Sequence, residues 1–214
     1  MLPTTLYFVR HGETDYNRLR IMQGRRVDSS LNDIGRMQAA ALGMRLADVP
    51  IDVIYTSALR RTAETADHVA HYHSAAERRR TVDLDEMCWG IHEGEAWSDS
   101  LAAMLDEMYS RWDRGEFDYR VPEGESILDV QERGLRAVER ILDEHRGQTV
   151  LVVTHGRLLR VVLATLLEFG LERMNEINHA NTGVNILTNV DGHFDFTLLN
   201  CTAHLDDVCP VLVE

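Results

Sequence analysis

Two short stretches, Arg10-His11-Gly12 and Thr154-His155-Gly156, each close an apolar run of strand character with a histidine followed by a glycine. Two further strand-like runs end beside charge, one at the turn from Ser57 to Arg61 and one ahead of Asp85-Glu86. Ligands of open α/β sheets bind beyond the carboxyl ends of the strands, so parallel strands would bring these four places to one edge. Two histidines and two arginines in one pocket match a tetrahedral dianion. Arginine offers planar, always-charged forks that bind phosphate oxygens bidentately, and the helices after His11 and His155 are expected to aim their N-terminal N–H groups at the same place. The same cations disfavour a charged imidazole, which keeps one ring neutral with a free lone pair. A neutral histidine facing a bound phosphate is a nucleophile. Transfer to it requires a proton for the departing alcohol oxygen, which is work for a general acid. Glu86, flanked by Asp83 and Asp85, is the best-placed carboxyl, and the negative charge of a bound phosphate would favour its protonated form.

The elements that must position these groups alternate between β and α. Residues 4 to 9 form a strand that runs into the loop at Gly12. Residues 31 to 49 carry Asn32 or Asp33 as a helix N-cap, then Ile34, Met37, Ala41, Met44 and Leu46 at roughly helical spacing. A strand over 52 to 57, a helix in "ALRRTAETADHVAHY" and a short strand near "RRTVDLDE" follow. Residues 96 to 120 read as a helix and loop, and 126 to 145 as a long amphipathic helix. The continuous β-branched run "TVLVVTH" belongs in a sheet covered on both faces and leads straight into the helix "GRLLRVVLATLLEF". Asp191-Gly192 between two alternating runs predicts a hairpin. The fold class expected is therefore α/β, three layers with a mostly parallel sheet flanked by helices and an antiparallel edge near the C-terminus.

Length and charge narrow the function. A chain of 214 residues without a Pro/Gly/Ser-rich linker is expected to be one domain over 1–214. A net charge of −13 opposes general binding to nucleic acid or anionic membranes, both of which need a basic face. All 22 basic residues are arginine, so Schiff-base chemistry and a lysine-bearing phosphate loop are excluded. No segment reads as membrane-spanning or as a secretory leader. Cys88, Cys201 and Cys209 are odd in number and lack paired metal spacing, which fits a reducing cytoplasm rather than a disulfide framework or a zinc site.

Six stretches resemble, in order, the motifs of the histidine phosphatase superfamily, the phosphoglycerate-mutase-like group. They are "VRHGETDYN", "QGRRVDSSLNDIGRMQA", "YTSALRRTAETA", "LDEMCWGIHEG", "PEGES" and "VLVVTHGRLLR", spanning about residues 5 to 190. The resemblance implies a phosphoglycerate-mutase-like fold, no cofactor and no metal. It implies His11 as the nucleophile that becomes phosphohistidine, Arg10 and Arg61 as the phosphate clamp, Glu86 as proton donor and then base for water, and His155 as the second phosphate-binding histidine. Arg61 rather than Arg60 lies at the family's spacing, four residues after Ser57. Asn17, Gln23 and Gly24 match positions that line the pocket in relatives.

Between 95 and 121 the chain carries one compact helical cap, shorter than the insertion of the phosphoglycerate mutases it resembles. Water access to the phosphoenzyme then favours a metal-independent phosphomonoester phosphatase. The alternatives are a cofactor-dependent phosphoglycerate mutase and, third, a non-catalytic phospho-ligand binder. Trp97, Arg111, Trp112, Arg114, Tyr119 and Arg120 are the candidates for shaping specificity. The expected partner is a small phosphorylated metabolite, not nucleic acid or membrane, in a monomer or homodimer.

Other features read as structural. His68, His71 and His73 do not share one helical face and suggest a polar helix end; Arg78-Arg79-Arg80 reads as a solvated turn. Met37, Met44, Met104 and Met108 read as core filling or helix packing. Cys201, His204 and Cys209 are too poorly spaced for a metal site and read as a strand end and surface.

Overall fold

The computed structural model describes residues 2–206. Its strands are β1 (Thr4–Arg10), β2 (Val53–Thr56), β3 (Glu77–Arg80), β4 (Thr149–Thr154), β5 (Val184–Val190) and β6 (His193–Cys201). The helices are α1 (Asp15–Arg18), α2 (Asp33–Leu46), α3 (Arg60–Ala70), α4 (Asp99–Asp113), α5 (Ile127–Glu144) and α6 (Gly156–Leu166). The six strands form one sheet in the order β3-β2-β4-β1-β5-β6. β3, β2, β4 and β1 run parallel, and β5 and β6 add the antiparallel edge. This is the mostly parallel α/β architecture expected from the sequence.

β4 lies at the centre because its residues are apolar on both faces. Val150 and Val152 join one buried cluster with Leu6, Phe8 and residues of α4, α5 and α6, while Leu151 and Val153 join another with Val9, Ile54 and residues of α2 and α3. This is the two-residue period of a strand written in side chains that are apolar throughout. The hairpin forms as expected, with Asp191 (φ 51°) and Gly192 (φ 91°) as the two residues between the paired Val190 and His193.

Three local expectations are corrected. Asn32 is the N-cap of α2, its side chain accepting from the Gly35 N–H at 2.8 Å, but the buried stripe is Gly35, Gln38, Ala39, Leu42, Gly43 and Leu46. Met37 and Met44 are exposed, because small residues let α2 approach its neighbours closely; a Cβ on Gly35 would lie 2.0 Å from the Glu13 carbonyl oxygen. Met108 is fully buried and Met104 packs on the core, as expected. Arg78, Arg79 and Arg80 are not a turn but part of β3 itself, an exposed edge strand whose charges oppose pairing with another sheet.

Candidate active site

Parallel register builds the site. Arg10 of β1 pairs with Thr154 of β4, so the next residues, His11 and His155, emerge side by side with ring centroids 5.2 Å apart. Thr56 of β2 pairs with Val153, which puts Ser57 level with Thr154 and Arg10, one residue before the two histidines. Glu86 arrives by a short 3₁₀ turn over Val82–Leu84 rather than directly from a strand, since β3 ends at Arg80. Beyond these ends lies a cavity of about 420 Å³ lined by Arg10, His11, Asn17, Gln23, Arg61 and Glu86 among others.

His11 is buried, and its Nδ1 lies 2.7 Å from the Gly12 carbonyl oxygen. A carbonyl only accepts, so Nδ1 carries the proton and Nε2 keeps its lone pair. Burial, then Arg61 and Arg10, hold the ring well below the usual histidine range. Arg61 is fully buried, donates to the carbonyl oxygens of Val27 (2.8 Å) and Gly24 (3.2 Å), and sends Nε to His155 Nδ1 at 3.2 Å. Arg60 turns outward, as its spacing implies. Arg10 donates Nη1 to the His179 carbonyl at 2.9 Å, and its buried Nε has no partner among the described residues.

His155 is completely buried, with Nδ1 on Arg61 and Nε2 2.8 Å from Ser57 Oγ. Both ring nitrogens are engaged by the protein, so its contact with a phosphate requires one of these bonds to be exchanged. Glu86 Oε1 accepts from the Met87 and Leu158 N–H groups at 2.9 and 3.2 Å, and Oε2 accepts from the Arg157 N–H at 3.2 Å. The free N–H groups at the start of α6 are thus directed at Glu86, not at the open cavity, because the carboxylate already satisfies them. The helix after His11 is also displaced from the phosphate position: α1 starts at Asp15 behind a Thr14–Asn17 capping box. Asn17 uses its carboxamide oxygen in that box, and Gln23 is tied to Thr14 and Ser29. Gly24 supplies its carbonyl to Arg61, and a Cβ there would lie 2.2 Å from the Glu93 carboxylate.

Of the residues expected to shape specificity, Trp97 lines the cavity and Trp112 is buried beneath it, its ring 4.9 Å from the Arg157 guanidinium. Arg111 and Arg114 instead pair with Glu107 and Glu116, Arg120 pairs with Asp129, and Tyr119 lies under Arg111. The three arginines turn outward because that face of the cap offers carboxylates in water, whereas Tyr119 packs against the core. Three positions at the site were not singled out from sequence. Arg157 and His179 line the cavity, and Arg133 of α5 grips the carbonyls of Asp83, Asp85 and Glu86. Arg157 carried a signal, since a cation in the first turn of a buried helix opposes the helix dipole. Burial and the neighbouring Arg10, Arg160 and Arg157 push His179 down to about 2.

Among the described residues no helix is long and apolar enough to cross a membrane, and no group of three His, Cys, Asp or Glu side chains is placed to hold a metal ion. Cys201 and His204 are both bonded to Arg45, and Cys209 lies outside the described residues.

Paired histidines and buried arginines at the carboxyl edge of a parallel sheet define a protein that handles phosphate esters. A sequence profile of the histidine phosphatase superfamily (branch 1) matches residues 6–202, and the chain belongs to that family. It is 35% identical over 161 residues to a metal-independent phosphoserine phosphatase of Arabidopsis thaliana, covering 74% of this chain and 67% of that protein. It is 32% identical over 189 residues to a 2,3-bisphosphoglycerate-dependent phosphoglycerate mutase of Brucella anthropi, covering 86% and 90%. The solved structure of Bacillus stearothermophilus YhfR superposes with a TM-score of 0.85 at 34% identity, covering 94% of this chain and 99% of that one. These relationships make the chain an enzyme of the phosphoric monoester hydrolase type.

Proposed function

We propose that this protein is a metal-independent phosphatase that hydrolyses the phosphomonoester of a small metabolite through a phosphohistidine on His11. The observation that carries this reading is the His11 ring itself. Its Nδ1 is committed to the Gly12 carbonyl at 2.7 Å, burial and two arginines keep it neutral, and its lone pair is therefore on Nε2. Nε2 attacks phosphorus, the P–O bond to the alcohol breaks, and Glu86 gives its proton to the departing oxygen. Water then attacks the phosphohistidine, returns a proton to Glu86, and releases phosphate with His11 neutral again. Arg10 and Arg61 supply the positive charge that stabilises the transferring group. His155 supports the clamp through Arg61 and is the next ligand for phosphate once its own bonds exchange.

A single helix, α4, forms the cap, and Trp97 at its entrance is 54% exposed, which supports ready access of water to the phosphoenzyme. Activity in a reducing cytoplasm is supported by the thiols of Cys88 and Cys201, neither of which forms a disulfide among the described residues. The test is phosphate release from a panel of phosphomonoesters in the presence of EDTA, with His11→Ala as control. Release that survives chelation and disappears in the variant is the expected result. Isomerisation of 3-phosphoglycerate on addition of 2,3-bisphosphoglycerate, without net release, would replace it with the mutase reading.

A further inference from the structure

The cavity holds more positive charge than a phosphate needs. Arg10 and Arg61 line the end beside His11, and Glu86 is the one carboxylate among the lining side chains. Arg157 is a third guanidinium at the same cavity, only 6% exposed, and among the described residues it has no carboxylate partner. Its Nη1 donates to Asn175 Oδ1 at 2.7 Å and its Nη2 to the Tyr109 hydroxyl at 3.3 Å, while Nε has no acceptor among the described residues. Trp112, Tyr109 and Trp89 cover it with ring centroids 4.9, 5.5 and 5.8 Å away. Aromatic faces attract a cation but accept none of its in-plane N–H protons in the way a carboxylate does. Burying a cation without an ionic partner is costly, and the cost is recovered when an anion arrives.

Arg157 follows Gly156, where a Cβ would lie 3.5 Å from Arg10 Nε and only 2.5 Å from the His179 ring. Arg10 Nε thus lies beside the backbone that leads into Arg157, and both side chains line the one cavity, so two anionic groups held by them fit within one small molecule. His179, beside Gly156 and held neutral, adds no negative charge to that positive field. Resting on the phosphatase reading, we infer that Arg157 receives a carboxylate on the alcohol portion of the substrate, and so selects phosphomonoesters of small hydroxy acids over neutral alcohol phosphates. The planar fork suits a planar carboxylate. A purely structural Arg157, tying the cap to α6 through Tyr109, would instead affect all ligands alike.

A matched pair of ligands separates these roles without turnover. The His11→Ala protein is titrated calorimetrically with 3-phosphoglycerate and with glycerol 3-phosphate, which differ in a carboxylate against a hydroxymethyl group. The carboxylate ligand is expected to bind about 10-fold tighter or more, as a charge-assisted hydrogen bond in a buried site provides. In His11→Ala/Arg157→Met, whose side chain keeps the apolar contacts, the ratio should fall to about 2-fold or less, and Arg157→Lys should restore part of it. Because a ratio is unaffected by the fraction of folded protein, partial misfolding does not mimic the result. Equal affinities before the second substitution, a preference that survives it, or no binding of either ligand would overturn the assignment. Binding discrimination in a protein whose wild type releases no phosphate would remove the hydrolytic reading and leave the carboxylate site standing.

Discussion

Replacing Arg133 by methionine probes how the position of Glu86 is held. Arg133 is 5% exposed, and its guanidinium makes five contacts. Two go to the Glu125 carboxylate at 2.9 and 3.0 Å, and three to the carbonyl oxygens of Asp83 (3.1 Å), Asp85 (2.6 Å) and Glu86 (3.1 Å). Removing one partner of a buried ion pair costs about 3–5 kcal/mol. Glu125 keeps the Cys88 N–H at 2.8 Å and Arg25 at 3.3 Å, which lowers that figure, while the orphaned carbonyls raise it. A net loss of about 4 kcal/mol corresponds to a fall in Tm of roughly 10 °C for a chain of this size. The same change frees the segment that carries Glu86, the proposed general acid, and a displacement on the order of 1 Å can cost about 10²-fold in rate. Calorimetry gives the first quantity, and kcat/KM on an alkyl phosphate and on p-nitrophenyl phosphate, measured well below Tm, gives the second. The alkyl ester should lose more, because nitrophenolate leaves without a proton. A Tm change of only about 2 °C, under 1 kcal/mol for this size, or equal losses on both esters, would refute the role assigned to Arg133.

Two other outcomes follow from the same geometry. Glu86→Gln keeps the side-chain shape but cannot transfer a proton, so it should slow alkyl phosphate hydrolysis by about 10²-fold and p-nitrophenyl phosphate less; equal slowing would take the acid role from Glu86. Stability should decline as the solution is acidified from pH 6.5 to 5. His11 and His155 are held well below 6.5, and His179 and His204 are pushed down to about 2 and about 4, all chiefly by burial. The unfolded chain therefore takes up protons that the folded one refuses, and the contribution present above pH 6.5 is lost as pH falls. A Tm that stays level over that interval would contradict the buried neutral histidines.

The order of strands and helices was legible because hydrophobic period and turn residues are local properties. β4 announced itself as a doubly covered strand, Asn32 as one of two cap candidates, and Asp191-Gly192 as a two-residue turn. His11, Arg10, Arg61 and Glu86 were legible as reactive groups at element ends, and the structure brings them to one cavity. What misled was orientation. The methionines of α2 face water because the helix rolls to seat Gly35 and Gly43 against neighbouring backbone, a choice made by packing partners distant in the chain. The cap arginines turn away from the cavity for a similar reason, since their pairing with Glu107, Glu116 and Asp129 is fixed by how α4 and the loop after it sit.

By itself the sequence determined the chemistry in reserve: a lysine-free set of cations, two histidines at strand ends, and a carboxyl, Glu86, proposed to move a proton. Tertiary structure alone decided how they are used. Parallel register set His11 beside His155, burial made both neutral, the start of α6 claimed Glu86, and an arginine from α5 fixed that segment in place. Residue types state which protons and charges a chain can offer, whereas desolvation and hydrogen-bond geometry, which arise only when distant segments meet, set which of them are held ready.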